Sequence, residues 1–355
     1  MAEGASRWQE LVPGARARAS WSENLVTGLL ALGVLTGGTI DAWAHSNLGQ
    51  LETFFTPWHA VLYASFLATS AWIGWMVVRR ARHGWRGLAA VPVGYGLGIV
   101  GVLTFAVGGV LDLGWHSVFG IEVGIEPLLS PPHLALGLGG LLINSSPLRA
   151  MWGVHDQRAL GLRALFPAVL SAALVTADIG YFFMWASPFQ HVFLADEIAQ
   201  GIAAVLITNV VYVGALLLLL RRWRLPFGAC TFLLFFNAAF ISAILEFSTA
   251  PLLLAPLAGG LVADLLIARL RPSPDRPGAM RAMACVTSAT LWGTYFLIAW
   301  SIGALDWSVP LWSGVIILAA GSSMALALLM APPPLPTADL PKPARTRGRD
   351  QLYTG

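Results

Sequence analysis

The chain contains ten long apolar runs, and each is long enough to cross a lipid bilayer as a helix. A helix of about 20 apolar residues spans the hydrocarbon core of a membrane. Only 11% of the residues are charged and the mean hydropathy is +0.70, whereas soluble domains carry about 25% charged residues. The runs are continuous rather than alternating, which argues against a transmembrane β-barrel. We therefore predict an all-α polytopic membrane protein of about ten transmembrane helices, at residues 25–43, 58–78, 88–112, 132–148, 164–186, 200–220, 227–247, 250–268, 283–303 and 309–331.

The basic residues set the orientation of these spans. With both termini on one side, all 21 Lys and Arg residues fall in the N-terminal segment, in alternate loops and in the tail. The positive-inside rule makes that side cytoplasmic, so the charge is a topology signal and gives no indication of nucleic-acid binding. We predict a bacterial cytoplasmic (inner) membrane protein with a cytoplasmic N-terminal segment at 1–22, a transmembrane domain at 23–331 and a disordered cytoplasmic tail at 332–355.

Two stretches of the chain repeat the same spaced residues at the ends of apolar runs. The first reads GGTIDAWAHSNLGQLETFFTPWH at 37–59, and the second reads GGVLDLGWHSVFGIEVGIEPLLSPPH at 108–133. Each has Gly-Gly, an Asp, a His four residues later and, after a loop, a Glu followed seven residues on by a second His. This agreement indicates a duplicated two-helix unit, at about 25–78 and 88–148. The Gly-Gly pairs are typical of closely packed membrane helices.

Three side chains of each stretch have the chemistry and the spacing of metal ligands. Asp41 and His45 lie one turn apart on one helix face, and His59 opens the following helix. The second stretch holds the same residue types at the same positions: Asp112, His116 and His133. All six lie at extracytoplasmic helix ends, and two imidazoles with a carboxylate suit copper, zinc or iron. Hydrogen bonding at the helix ends and a proton or substrate relay are the alternative interpretations.

Five further ionisable residues belong to the candidate site. Glu52 and Glu126 lie seven residues before the second His of each stretch, and are predicted to be additional ligands or partners that orient an imidazole. His191 follows Asp178 in what resembles a decayed third copy of the pattern, which makes His191 a further candidate ligand. The plainer interpretation is a loop histidine beside Asp196 and Glu197. Asp178 and Glu246 are candidates for a proton relay, because ionisable groups inside membranes are costly and often functional.

The remaining polar residues of the apolar runs have plainer interpretations. Asp264 is a third candidate for proton conduction, whereas three amides are predicted to form hydrogen bonds between helices: Asn144, Asn209 and Asn237. The two cysteines, Cys230 and Cys285, form no CxxC pattern and are predicted to be small core residues.

The stretch DAWAHSNLGQLETFFTPWHAVLY resembles the C subunit of the copper membrane monooxygenases, the particulate methane and ammonia monooxygenase group. That family carries an Asp, a His four residues later and a Phe-Thr-Pro-x-His segment that opens the next helix. Asp41, His45 and His59 match this pattern, with Phe-Thr-Pro at 55–57. The corresponding residues of the second stretch match more loosely, with Ser-Pro at 130–131.

The resemblance implies a copper site within the membrane near its outer face, held by the Asp/His/His set of each stretch. It also implies an oxygenase-like oxidoreductase activity and other membrane subunits as partners, in addition to the lipid bilayer. Which residues would be catalytic stays unknown. Three other function classes remain open from the sequence. These are a transporter or a proton or metal permease, a haem protein with His59 and His133 as axial ligands, and a structural subunit of a membrane complex.

Overall fold

The computed structural model describes residues 16–48, 54–120, 126–153, 159–191 and 197–331. Within these ranges the regular secondary structure is helical, and eight helices are long and apolar enough to cross a membrane. The prediction of an all-α polytopic membrane protein of about ten helices is confirmed. The helices are α1 (Trp21–Asn47), α2 (Pro57–Arg82), α3 (Gly96–Phe119), α4 (Glu126–Leu129), α5 (Pro131–Asn144), α6 (Ser146–Trp152), α7 (Leu162–Phe182), α8 (Ile198–Leu220), α9 (Ala229–Ala243), α10 (Leu254–Leu270), α11 (Pro277–Ser301) and α12 (Val309–Met330).

Two of the predicted spans are not single long helices. The span at 132–148 corresponds to α5 and α6, which meet at Ser145. The span at 227–247 corresponds to α9, which ends at Ala243 because the chain turns there, and Glu246 and Phe247 have positive φ angles of 54° and 58°. The tail at 332–355 and most of the N-terminal segment lie outside the described residues, so the predicted domain boundaries stay predictions.

Helix α3 begins eight residues later than the predicted span at 88–112. Residues 87–90 form a separate 3-10 turn, and Pro92 has no N–H to donate to a helix. Gly94 has a φ of 92°, and a Cβ there would lie 2.3 Å from the backbone nitrogen of Ala150. The chain therefore turns closely against α6 before α3 starts. The helix also ends later than predicted, at Phe119, so Asp112 lies seven residues inside the helix end rather than at it.

The two repeat units are two helix pairs, with α1 against α2 and α3 against α5. The first Gly of each Gly-Gly pair makes the close contact. A Cβ at Gly37 would lie 2.6 Å from the Cα of Leu62, and a Cβ at Gly108 would lie 3.0 Å from the backbone nitrogen of Leu136. Leu62 and Leu136 each follow the second His of their stretch by three residues. The repeat is thus preserved in three-dimensional packing as well as in sequence.

The core of the C-terminal half, from α7 to α12, joins the two helix pairs through α7. Leu170 and Leu174 of α7 form one buried cluster with Ala31 and Leu35 of α1. In the C-terminal half, the Asn209 amide donates to the Ala319 carbonyl of α12 at 3.0 Å, and its oxygen accepts from Ser288 and Trp292 of α11. This confirms the predicted interhelical role of Asn209.

Two polar residues of the C-terminal half have roles other than those predicted. Asp264 is 1% exposed and accepts hydrogen bonds from the backbone N–H groups of Cys230 and Thr231. It therefore satisfies the free N–H groups at the start of α9, which is a structural role that the sequence did not predict. Asn237 donates to the Leu233 carbonyl of its own helix at 2.8 Å rather than to a neighbouring helix. Cys230 is fully buried, as predicted for a core residue.

Candidate metal centre

The first Asp/His/His triad forms where α1 ends and α2 begins. Asp41 and His45 lie one turn apart on α1, and His59 reaches them from the first turn of α2. The Oδ1 atom of Asp41 lies 3.3 Å from the Nε2 atom of His59, and its Oδ2 atom lies 3.9 Å from the Nε2 atom of His45. The side chains of Asp41 and His59 are largely buried.

The second triad repeats this arrangement at the end of α3 and the start of α5. The Oδ1 atom of Asp112 lies 3.4 Å from the Nε2 atom of His116 and 3.6 Å from the Nε2 atom of His133. The Asp112 side chain is only 1% exposed. The second His of each triad is the third residue of its helix, after an N-cap Thr or Ser and a Pro. The six predicted ligand residues are thus brought together as two matching groups.

Local hydrogen bonds turn the Nε2 atoms towards the carboxylates. The Nδ1–H of His59 donates to the Phe54 carbonyl at 2.6 Å, and the Nδ1–H of His116 donates to the Gly120 carbonyl at 3.1 Å. The Nδ1 atom of His133 is hydrogen-bonded to the Ser130 hydroxyl. A partner on Nδ1 fixes the imidazole tautomer and leaves the Nε2 lone pair available, as in most metal-bound histidines.

The separations within each triad fit a single bound cation. With a metal–ligand distance near 2.1 Å, two ligands of a tetrahedral site lie about 3.4 Å apart. The observed separations between carboxylate oxygen and Nε2 run from 3.3 to 3.9 Å, and each set of ligand atoms lies within 4.8 Å. Within the triads, four buried atoms make no hydrogen bond to any described residue: Oδ1 of Asp41, Nε2 of His45, Nε2 of His59 and Oδ1 of Asp112. Leaving such groups unsatisfied costs about 1–3 kcal/mol each, and a cation in each triad would satisfy them.

The two triads lie beside each other, which the sequence alone left open. The imidazole rings of His45 and His116 are nearly parallel, with centroids 6.4 Å apart. The ring of His59 lies 6.2 Å from that of His116. The two triads therefore form one cluster of four imidazoles and two carboxylates, with His133 at its edge.

Tyr63 links the two triads and was not found by sequence reasoning. Its hydroxyl donates a 3.0 Å hydrogen bond to the Oδ2 atom of Asp112, while its helix, α2, carries His59 one turn earlier. The available signal was the spacing of four residues, which puts Tyr63 on the same helix face as His59. The second repeat has Gly137 at the equivalent position, so the duplication itself did not point to Tyr63.

A cavity of about 470 Å³ opens next to the first triad. Asp41, His45 and His133 lie at one end of it, and Asp178 and Tyr181 of α7 lie along its wall. Its residues on α1 run from 34 to 46, a length of about 18 Å along the helix. Most of its lining is apolar, including Val34, Leu35, Leu62, Phe105, Leu136 and Phe182.

Three other predicted site residues, which are Asp178, Glu246 and His191, lie in different parts of the structure. Asp178 lines the cavity and accepts a 2.7 Å hydrogen bond from Asn144, which is the predicted interhelical bond. Glu246 is exposed in the turn after α9, where it accepts from the Trp43 indole at 3.1 Å. His191 is exposed, and none of its contacts within the described residues joins it to a triad.

The side chains of the two predicted glutamates lie outside the described part of the structure. Glu52 lies outside the described residues. Glu126 is the first residue of α4, the short helix that precedes the second His of its stretch, and its side chain is outside the described part. Their predicted roles as further ligands or orienting partners therefore stay predictions.

The orientations of His59 and His133 do not support a haem site with these two residues as axial ligands. His59 and His133 each direct Nε2 towards the carboxylate of their own triad, at 3.3 and 3.6 Å. Axial ligands of one haem would instead direct their nitrogens towards a shared iron.

Comparisons of the chain with models of protein families, with curated proteins and with solved structures found no match. The resemblance to the monooxygenase C subunit therefore rests on the two motifs alone.

Proposed function

We propose that this chain is an integral membrane metalloprotein that binds one metal ion in each Asp/His/His triad. The observation that carries this proposal is the convergence of buried carboxylate and Nε2 atoms that no described hydrogen bond satisfies. Two adjacent triads with matching geometry support two metal ions in one centre. Burying these groups without a cation would be costly, so metal binding gives the duplicated pattern a physical reason.

Copper is the metal that we propose, with zinc and iron as the alternatives. Two imidazoles and one carboxylate suit all three ions. Copper binds such nitrogen and oxygen ligands more tightly than the other divalent ions of its row, and the motif resemblance also favours it. The metal identity is therefore the first property to measure.

The charge distribution supports an orientation with the triads at the outer side of a bacterial cytoplasmic membrane. Glu23 accepts a 2.7 Å hydrogen bond from Arg80 where α1 begins and α2 ends. Arg222, at the end of α8, donates to the Trp152 carbonyl at the end of α6. The Glu23–Arg80 contact lies at the end of α1 and α2 opposite their triad residues, and the positive-inside rule assigns the basic ends to the cytoplasm. Both termini would then be cytoplasmic.

An oxygenase-like activity is the reaction that we propose for the centre. Copper supplies dioxygen binding and one-electron chemistry when it is bound to such ligands. The apolar lining of the cavity supports an apolar molecule, rather than a hydrated ion, as the second reactant. It also argues for this function over a metal or proton permease, whose path would need polar groups along its length. Other membrane subunits are proposed as partners on the motif resemblance.

The test is a metal analysis of the protein purified in detergent, followed by oxygen-uptake measurements. Copper, zinc and iron are quantified by mass spectrometry, and X-ray absorption spectroscopy reports whether imidazoles surround the bound metal. Copper with imidazole scattering supports the proposal. Zinc at the same residues would replace the oxygenase proposal with a structural or hydrolytic role. A copper-loaded protein that consumes no oxygen with any electron donor or apolar substrate would contradict the proposed activity while leaving metal binding intact.

A further inference from the structure

The two helix pairs differ at one pair of equivalent positions beside the triads, and the glycine of that pair lines the cavity. Tyr63 follows the second His of its unit by four residues, and Gly137 does so in the other unit. Gly109 precedes Asp112 by three residues, and Gly38 precedes Asp41 by three. Asp112 therefore has the Tyr63 ring of the other unit beside it, whereas the residues equivalent to Gly109 and Tyr63 near Asp41 are both glycines, Gly38 and Gly137.

The Tyr63 ring fills the space beside Gly109 and Asp112. A Cβ at Gly109 would lie 2.8 Å from the Cε1 atom of Tyr63, so the phenol ring rests directly on that glycine. The Tyr63 hydroxyl then reaches the Oδ2 atom of Asp112 at 3.0 Å, while the Oδ1 atom faces His116 and His133. The Asp112 carboxylate thus faces the two imidazoles of its triad with Oδ1 and accepts a hydrogen bond from the Tyr63 phenol with Oδ2.

The equivalent space beside Gly38 and Asp41 is open, and no described residue there donates a hydrogen bond as Tyr63 does. Gly38 has no atom of the described neighbouring residues within 4 Å of where its Cβ would be, and it lines the cavity. Gly137 rests against the Phe182 ring, which supplies an aromatic surface but no hydroxyl. Asp41 also lines the cavity. Its buried Oδ1 atom has no hydrogen-bond partner among the described residues, and its Oδ2 atom lies 3.9 Å from the Nε2 atom of His45, which is beyond hydrogen-bond distance.

We propose that the cavity binds a lipid-soluble molecule with a phenolic hydroxyl, which donates to the Oδ2 atom of Asp41 as Tyr63 donates to Asp112. The ring of the ligand lies against Gly38, and its apolar substituents contact the leucine and phenylalanine side chains of the wall. A cavity of about 470 Å³ is within the usual range for small-molecule sites. The inference deepens the proposed function, because it names the class of molecule that lies beside the metal centre, but binding of this molecule does not require the metal.

The probe pair is thymol and cymene, which have the same apolar skeleton and differ by one hydroxyl. Displacement of tritiated thymol is measured on the full chain in lipid nanodiscs, with ligand concentrations expressed per lipid so that differences in partition cancel. We expect thymol to bind about tenfold more tightly than cymene, the effect of one hydrogen bond to a buried carboxylate. Equal affinities of the two probes would overturn the proposal.

Three variants locate the bound molecule. Gly38→Leu fills the cavity and should weaken thymol binding at least about tenfold, whereas Gly74→Leu, on an exposed face of α2 with no described neighbour within 4 Å, should not change it. Asp41→Ala should abolish the preference for thymol over cymene, and Asp41→Asn, which keeps an acceptor oxygen, should retain it. A preference for thymol that survives in Asp41→Ala would show that the hydroxyl binds another residue. Unchanged thymol binding in Gly38→Leu would show that the molecule binds outside this cavity. Either result would overturn the proposal.

The same samples separate this inference from the proposed metal binding. The thymol measurements are made on the protein as isolated and again after chelation, and the metal content of each sample is recorded. Hydroxyl-selective binding by a protein that takes up no metal even after reconstitution would contradict only the proposed function. Two bound metal ions with no selective thymol binding would contradict only the phenol site.

Discussion

The hydroxyl of Tyr63 donates a 3.0 Å hydrogen bond to the Oδ2 atom of Asp112, and so connects a helix of one repeat unit to the carboxylate of the other. Partners of this kind orient a ligand and tune its basicity, and their loss typically lowers metal affinity about 10–100-fold. We expect Tyr63→Phe to weaken metal binding in the second triad by about that factor, and to leave the first triad nearly unchanged.

The control for Tyr63→Phe is Tyr295→Phe, which removes a buried hydroxyl that donates to the Pro188 carbonyl far from the triads along the chain. Both variants lose one tyrosine hydrogen bond, so a general loss of stability would affect them alike. Competition with a metal-chelating dye measures the two binding steps. Equal metal affinities in Tyr63→Phe and in the unmodified protein would contradict the positioning role of Tyr63.

Adjacent glycines of the first repeat should respond in opposite ways to the same substitution. A Cβ at Gly37 would lie 2.6 Å from the Cα of Leu62, whereas a Cβ at Gly38 would meet no described neighbour within 4 Å. Gly37→Ala should force α1 and α2 apart, at a cost of about 1–3 kcal/mol, and should move His59 away from Asp41. Thermal unfolding in detergent and metal content report both effects, with Gly38→Ala as the tolerated control. Equal behaviour of the two variants would show that the α1–α2 contact is not tight at Gly37.

Asp264 should be needed for stability and not for function. Its carboxylate accepts from the Cys230 and Thr231 N–H groups and from the Thr231 hydroxyl. Asp264→Ala leaves these buried donors without a partner, and should lower the free energy of unfolding by about 1–3 kcal/mol. Metal content and oxygen uptake per folded molecule should not change. A stable Asp264→Ala protein with altered activity would return Asp264 to the candidates for proton conduction.

Removal of the metal should destabilise the protein. A ligand that binds only the folded state stabilises it by about 2.7 kcal/mol when its free concentration is 100 times its Kd. We therefore expect a chelator to lower the midpoint of thermal unfolding, and we expect a smaller decrease in His59→Ala, which retains only the second triad. A midpoint that does not respond to chelation in a metal-loaded sample would show that the bound metal lies outside the folded centre.

The helical fold and the composition of each triad could be predicted from the sequence, because both depend on local spacing. The apolar runs determine the helices, and a separation of four residues places Asp41 and His45 on one face. His59 and His133 were found because each opens a helix after a Pro. The start of α3 was predicted too early because the turn at Gly94 depends on a contact with Ala150, which is distant in the sequence.

The relationship between the two triads could not be predicted, because it depends on how the helix pairs pack. The spacing within one stretch says nothing about the 6.4 Å approach of the His45 and His116 rings. Tyr63 was missed for a related reason, since a tyrosine in an apolar run is typical of a core residue and its partner Asp112 lies 49 residues away. The role of Asp264 likewise became visible only when the start of α9 was located beside it.

The most direct test of the two-site centre is the number of metal ions bound per chain in matched variants. The unmodified protein, His59→Ala, His133→Ala and the double variant are reconstituted with the same metal, washed and analysed by mass spectrometry against protein concentration. The account predicts two ions in the unmodified protein, one in each single variant and none in the double variant. A complete absence of bound metal after reconstitution, or a count that does not change in the variants, would contradict it.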